Sequence, residues 1–281
     1  MRADRRFVEK SAQFWAHTKF ISERVGYSKR MSGQLRTHSI GEAQAALKER
    51  RLVADNDLLV EVMGYLNWRA EALNNRVAPL FMNREEAATE FAEVYKKTKP
   101  TKPLTMNKQK GEKRHPAYLA SMVAMIAESV VGPSGFIDDA RKLSILTSDH
   151  TLEEIFSRRF DGALPDTENP RAVWEIKEYY GTTTFGSRVA DGVYETLLDG
   201  YEIAAVRSRM HRDIEHFLFI DDRFTWWDCG KSYLCRMIDM LHTGHVDEIF
   251  FGREVLTDWE KRLQILKQGG LAHNKPLMGK K

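Results

Sequence analysis

Residues 158–181, RRFDGALPDTENPRAVWEIKEYYG, constrain the fold more than any other stretch of this chain. Two runs, 158–164 and 171–177, flank PDTENP at 165–170. Pro, Asp, Asn and Pro in so short a segment are turn chemistry. The second run carries Val173, Trp174 and Ile176, which suit a mostly buried strand. The pattern predicts a β-hairpin centred near residues 167–168. In that pairing residue 161 falls opposite 174 and beside 175. Side chains alternate faces along a strand, so Glu175 and Lys177 share one face and Ile176 points into the core on the other. Asp161 reaches the same patch from the neighbouring strand, about 4.8 Å away.

The hairpin sits inside a longer alternation. Residues 115–132, HPAYLASMVAMIAESVVG, predict a buried helix with Pro116 in its first turn and Glu128 near its end. A short helix is expected over 151–157, with Thr151 and Glu154 as a capping box. After the hairpin come a helix over 187–199, a strand over 216–220, a helix over 230–243 and a strand over 246–251. This order describes an α/β fold with a mixed central sheet flanked by helices. No strand signal precedes residue 130. Apolar spacing predicts helices over 6–26, 39–52, 55–75 and 84–97, with Gly26 ending the first and Ser39 and Glu42 boxing the start of the second. Three regions follow: a helical, basic 1–97, a basic linker or arm at 98–115, and the α/β core at 116–281.

Charge is unevenly spread although the net value is only +3. Residues 96–114 hold eight Lys/Arg against one acid, and residues 1–52 hold twelve against five. A basic front and an acidic back suggest polyanion binding in front and metal binding behind. No apolar run approaches the roughly 18–20 residues of a membrane span, and the start lacks the apolar stretch of a secretory signal. Two cysteines, Cys229 and Cys235, make a poor disulfide framework, so a cytoplasmic location is expected. His211, His216, His242 and His245 lack a zinc-ligand spacing with them.

Two carboxylates gathered on one patch repel each other and shift their proton affinities. A hard divalent cation removes the conflict, and magnesium favours a few carboxylate oxygens with retained waters. Such an ion makes water more acidic and neutralises charge on a phosphate. Lys177 is then placed to orient or help deprotonate the attacking water, or to stabilise the pentavalent phosphate.

Asp on the first strand and Glu-X-Lys on the second resemble the PD-(D/E)XK nuclease superfamily, whose best-known members are type II restriction endonucleases. The resemblance covers about residues 116–252. It implies a restriction-endonuclease-like core in which Asp161 and Glu175 bind Mg2+, Ile176 lends its backbone carbonyl, Lys177 assists the water, and Glu128 joins from the preceding helix. It also implies a homodimer acting on double-stranded DNA, one site per strand. In the family the first acid often follows proline. Here Asp161 follows Phe160, and the literal Pro-Asp pair is Pro165-Asp166 in the turn, so Asp166 is the fallback acid.

DNA contacts are expected from Ser28, Lys29, Arg30, Arg36, Thr37 and His38, in a basic loop leading into a short helix as in a helix-turn-helix. Lys108 and Lys110 on the arm, and Thr183, Ser187 and Arg188 after the motif strand, are expected phosphate contacts. The expected activity is magnesium-dependent hydrolysis of DNA phosphodiesters, foremost as a site-specific enzyme of a restriction system. The alternatives are a same-superfamily nuclease in phage defence, recombination or repair, and a non-catalytic DNA-binding regulator.

Overall fold

A computed structural model of the chain describes residues 1–28, 33–107, 115–180 and 186–269. The front is helical, as expected. Helices α1 (Ala12–Val25), α2 (Ile40–Glu49) and α3 (Asn56–Ala72) each start under a side-chain cap, from Ser11, Ser39 and Asp55. Ser39 and Glu42 form the expected capping box. These helices pack around Phe14, Trp15, Ile21, Leu59, Val62 and Tyr65.

Behind them lies a five-stranded sheet of order β1-β4-β5-β6-β7. Its strands are β1 (Ile137–Asp138), β4 (Gly162–Leu164), β5 (Ala172–Glu178), β6 (Glu215–Asp221) and β7 (Glu248–Phe251). The pairs β1/β4 and β4/β5 are antiparallel, while β5/β6 and β6/β7 are parallel. Parallel neighbours need crossover connections. These are α6 (Ser187–Met210) and α7 (Lys231–His242).

Period-2 alternation decides what each face touches. Phe217, Phe219 and Phe250 pack with Trp174 against α5 (Tyr118–Val131) and Trp259, whose residue opens α9 (Trp259–Lys267), after the short α8 (Glu254–Thr257). Leu218, Ile220, Ile249 and Phe251 face α6 and α7 instead. Both faces are covered, which is why these strands read as continuous apolar runs. Helix α4 (Arg84–Thr98) lies against α5, so it travels with the sheet although it precedes the basic segment. The helical front is bolted to the sheet layer by a buried ion pair, Arg69 of α3 to Asp239 of α7 at 2.7 Å, with Tyr65 donating to the same carboxylate. Among the described residues no helix is long and apolar enough to cross a membrane.

Three local expectations are corrected. Residues 151–157 are not a helix: Thr151–Ile155 form β3, which pairs with β2 (Ile145–Ser148) in a separate hairpin. Asp149 and His150 turn that hairpin with φ of 47° and 63°, the two positive values a tight hairpin turn demands. The main hairpin pairs Gly162 with Trp174, one residue off the expected register, because its turn runs from 165 through 171. Helix α6 runs on to Met210 rather than ending at 199. Gly200 is not a stop there. A Cβ on it would meet His245 at 2.6 Å, so the glycine serves close packing.

Candidate functional site

Beyond the Gly162–Trp174 pair, strands β4 and β5 part, and Asp161 sits in the gap. Its amide donates to the Trp174 carbonyl at 3.0 Å, and its carbonyl accepts from Asp139 at 2.9 Å. Its side-chain Oδ2 accepts the Ile176 amide at 2.7 Å, taking the place of a ladder partner. Asp161 thus meets the motif strand through a main-chain contact at the middle residue of Glu-X-Lys. Asp166 is not near it: it lies exposed in the turn, with its carboxylate on Thr167.

Glu175 and Lys177 share a face, with Lys177 Nζ donating to Glu175 Oε2 at 2.8 Å. That face is the buried one, against α6. Ile176 does not point into a sealed core but lines an open cleft on the other side. Helix α6 lays Glu195 and Asp199 over the motif strand, four residues apart and so on one helix face. Lys177 Nζ also reaches Glu195 at 3.1 Å. Gly192 of α6 leaves room for this lysine, since a Cβ there would lie 3.3 Å from Lys177 Cδ. Trp226 donates to the Lys177 carbonyl at 3.2 Å and fixes the strand end.

Arg158 completes the group. Its guanidinium lies 2.7 Å from Asp199, 3.1 Å from Glu195 and 3.8 Å from Glu175. Four carboxylates thus face two cations. Two oxygens in this setting have no hydrogen-bond partner although buried: Glu175 Oε1 and Asp199 Oδ1.

The electrostatics follow from this crowding. Asp161 is open to solvent at the floor of a cleft but surrounded by dense protein. Burial, and then the Glu175 charge, raise its carboxyl to about 6, against the opposing pull of Lys177 and the Ile176 hydrogen bond. Burial, then Glu175, also lift Asp199 to about 7. Burial works against the charge of Lys177, but Glu175 and Asp161 more than offset it, so its ammonium is held above the ordinary lysine range. Lys177 is a firmly charged donor in this state and not a proton acceptor.

Two clefts meet at Asp161. One, of about 220 Å³, lies between β5 and α5 and is lined by Asp138, Asp139, Trp174, Ile176 and Glu178. The other, of about 290 Å³, is lined by Asp139, Arg141, Arg159 and Asp161. Arg141 and Arg159 are exposed beside the carboxylate, where a phosphate could meet them.

Glu128 is not part of this group. Its carboxylate accepts the Thr101 and Lys102 amides at 2.8 and 3.3 Å, pinning the basic segment to the end of α5. The acid that faces the cleft at the other end of α5 is Glu178, which accepts the Ala120 amide at 3.0 Å and is lifted to about 7 by burial. Two expected DNA contacts are also corrected. His38 is buried, and burial together with Arg36 pushes it down to about 4, so it is neutral. Arg36 is held by Glu42 and the Val25 carbonyl. Ser28 and Thr37 are exposed, as a contact requires. Lys29, Arg30, Lys108, Lys110 and Thr183 lie outside the described residues, as do the side chains of Ser187 and Arg188.

Among the described residues, no three His, Cys, Asp or Glu side chains are grouped as a ready-made metal cage. Magnesium does not need one, because it keeps several waters and commonly uses one or two carboxylates. Asp161 is close enough to Glu175 for that charge to raise its carboxyl, and one buried Glu175 oxygen has no hydrogen-bond partner.

Residues missed in the sequence are Arg158, Arg141, Arg159 and Asp199. Asp199 had a signal: Glu195, Asp199 and Glu202 recur at helical spacing on α6. Arg158 and Arg159 belong to the run expected as a strand, but the strand begins only at Gly162, so its period does not govern them.

Searches among curated proteins and among solved structures return no match. Residues 1–76, the helical front, match the family described as Domain of unknown function (DUF7690). Residues 82–266, from α4 through the sheet to α9, match the family described as Domain of unknown function (DUF7687), and since this spans more than half of the chain, the protein belongs to that family.

Proposed function

We propose that this chain is a magnesium-dependent endonuclease that hydrolyses phosphodiester bonds of double-stranded DNA, with its site at Asp161, Glu175 and Lys177. The observation that carries the reading is the Asp161–Ile176 hydrogen bond. It ties the acid of one strand to the middle of Glu-X-Lys on the next, where the sheet opens to solvent. The elements after the motif support it as well: crossover α6, parallel β6, α7 and parallel β7 follow the β4/β5 hairpin, the helix, strand, helix, strand order expected from the sequence.

In this reading Asp161 and Glu175 are the residues that would hold Mg2+. The Ile176 carbonyl leaves the strand on the same side as its amide, and so faces Asp161. When bound, the ion supplies positive charge against the phosphate and makes water more acidic. Lys177, held charged, donates to the attacking water or to a non-bridging phosphate oxygen. Arg141 and Arg159 hold neighbouring phosphates at the mouth of the cleft, and backbone contacts of this kind set register on the duplex. Water attacks in line and the 3′ oxygen leaves. A site-specific enzyme acting as a homodimer is the form favoured, with the basic front as its DNA-binding region.

Purified protein incubated with plasmid and Mg2+, alongside Lys177→Ala and EDTA controls, tests this. Discrete fragments that disappear in both controls support the restriction reading. A nonspecific smear favours the same chemistry in defence or repair. Intact DNA that is still bound assigns the chain to the non-catalytic DNA binders.

A further inference from the structure

We propose that Arg158 is the built-in counter-cation of this site, neutralising the acid cluster through its ion pairs and turning to a phosphodiester oxygen when a divalent cation enters. This rests on the nuclease reading above and adds a role that the Asp and Glu-X-Lys pattern does not contain.

Three observations carry it. The guanidinium bridges three carboxylates from two elements, Glu175 of β5 with Glu195 and Asp199 of α6. Its contact to Glu175 is the long one, at 3.8 Å, and Glu175 Oε1 is left without a hydrogen bond. The arginine therefore neutralises the candidate metal-binding acid without satisfying it. Finally, the two cations of the cluster differ in access. The Lys177 side chain is 8% exposed and Arg158 is 27% exposed. Of the two, Arg158 is the more accessible to a phosphate outside, and its planar fork matches phosphate oxygens.

The charge balance gives the direction of the coupling. With Arg158 in place, four carboxylates face two cations, so an incoming divalent ion must compete with a guanidinium already bound. If the arginine turns outward, it exchanges carboxylates for phosphate as the ion replaces it. Metal and DNA then favour each other's binding, as linkage requires of two ligands that select the same arrangement.

The test reads metal affinity without DNA or turnover. Mn2+ and Mg2+ are titrated calorimetrically into the full chain, wild type against Arg158→Met and against Arg158→Met/Asp199→Asn. The double variant removes one cation and one anion together, so its fold survives where the single variant leaves a buried acid unpaired; far-UV circular dichroism checks both. The expected result is metal binding about tenfold tighter in the double variant, within the usual range of coupling between sites. Duplex binding in Ca2+ is expected to weaken in the same protein. Unchanged or weaker metal binding in a folded double variant overturns the proposal, as does tighter metal binding that persists when Asp161→Asn is added. Tighter metal binding in a protein that cuts no DNA leaves the Arg158 assignment standing and removes the nuclease reading instead.

Discussion

Asp161→Asn should make the protein more stable and useless at the same time. The carboxyl of Asp161 is lifted from 3.8 to about 6 by burial and by Glu175. Each unit of such a shift corresponds to about 1.4 kcal/mol, so holding the group ionised costs the fold up to about 3 kcal/mol. Asp161 opens onto the cleft, however, and water screens an exposed charge, which brings the expected net to about 1 kcal/mol. The sign follows from linkage. A carboxyl whose folded pKa is raised contributes stability that is present below its unfolded value of 3.8 and lost as pH rises through about 6. Asparagine does not lose it, and its Oδ1 still accepts the Ile176 amide. In urea melts with EDTA, the variant should match wild type near pH ~4 and exceed it by about 1 kcal/mol near pH ~8. Saturating Mg2+ should then stabilise wild type by about 3 kcal/mol at a hundredfold excess over its Kd, and the variant hardly at all. A variant no more stable than wild type at the higher pH, or one equally stabilised by Mg2+, would refute the reasoning.

Three further expectations concern the supports of the site. Glu178 and Asp221, on adjacent strand ends, are both pushed up to about 7 by burial. Stability should therefore fall as pH rises through that value, and Glu178→Gln should recover about 1–2 kcal/mol at pH ~8.5 in thermal melts, with no gain near pH ~4. Gly162→Ala puts a Cβ into the Trp174 indole, which is wedged between Phe136 and Trp259. Overpacking of this kind costs about 1–3 kcal/mol, and because β4 must shift, the Asp161–Ile176 contact should loosen and Mg2+ affinity drop with stability. Asp239→Ala strands the buried Arg69 and leaves Tyr65 without its acceptor. It should lose about 3–5 kcal/mol in denaturant titrations and release the helical front from the sheet, read as protease cleavage between residues 73 and 83.

The hairpin was legible in the sequence because its signals agree: a turn-forming segment, β-branched and aromatic residues, and a period of two that put Glu175 and Lys177 on one face. The capping box at Ser39 and Glu42 was legible for the same reason. What misled was the same signature out of context. Thr151 and Glu154 have capping-box spacing but sit in a strand, because Asp149 and His150 adopt the left-handed turn usually marked by Asn-Gly. The helix expected to end at 199 continues through Gly200, which is a packing contact against His245. Glu128 lies on the expected helix near its end, yet a neighbouring segment supplies two amides and takes its carboxylate away from the site. Period alone also left open which covered face of β5 would hold the charged pair. That depends on α6 laying Glu195 and Asp199 over it, a tertiary event. Arg158 could not be placed, since its role arises only when three carboxylates from two elements converge.

The most direct test of the account is the single-turnover cleavage rate of sequence-diverse plasmid DNA in Mg2+, comparing wild type with Asp161→Asn, Glu175→Gln and Lys177→Met. Each substitution should slow cleavage by roughly a thousandfold or more, as expected of groups acting as a unit, while gel-shift binding of the DNA is retained. Wild-type protein that binds DNA but leaves it intact, or any one of the three variants cutting at the wild-type rate, would contradict it.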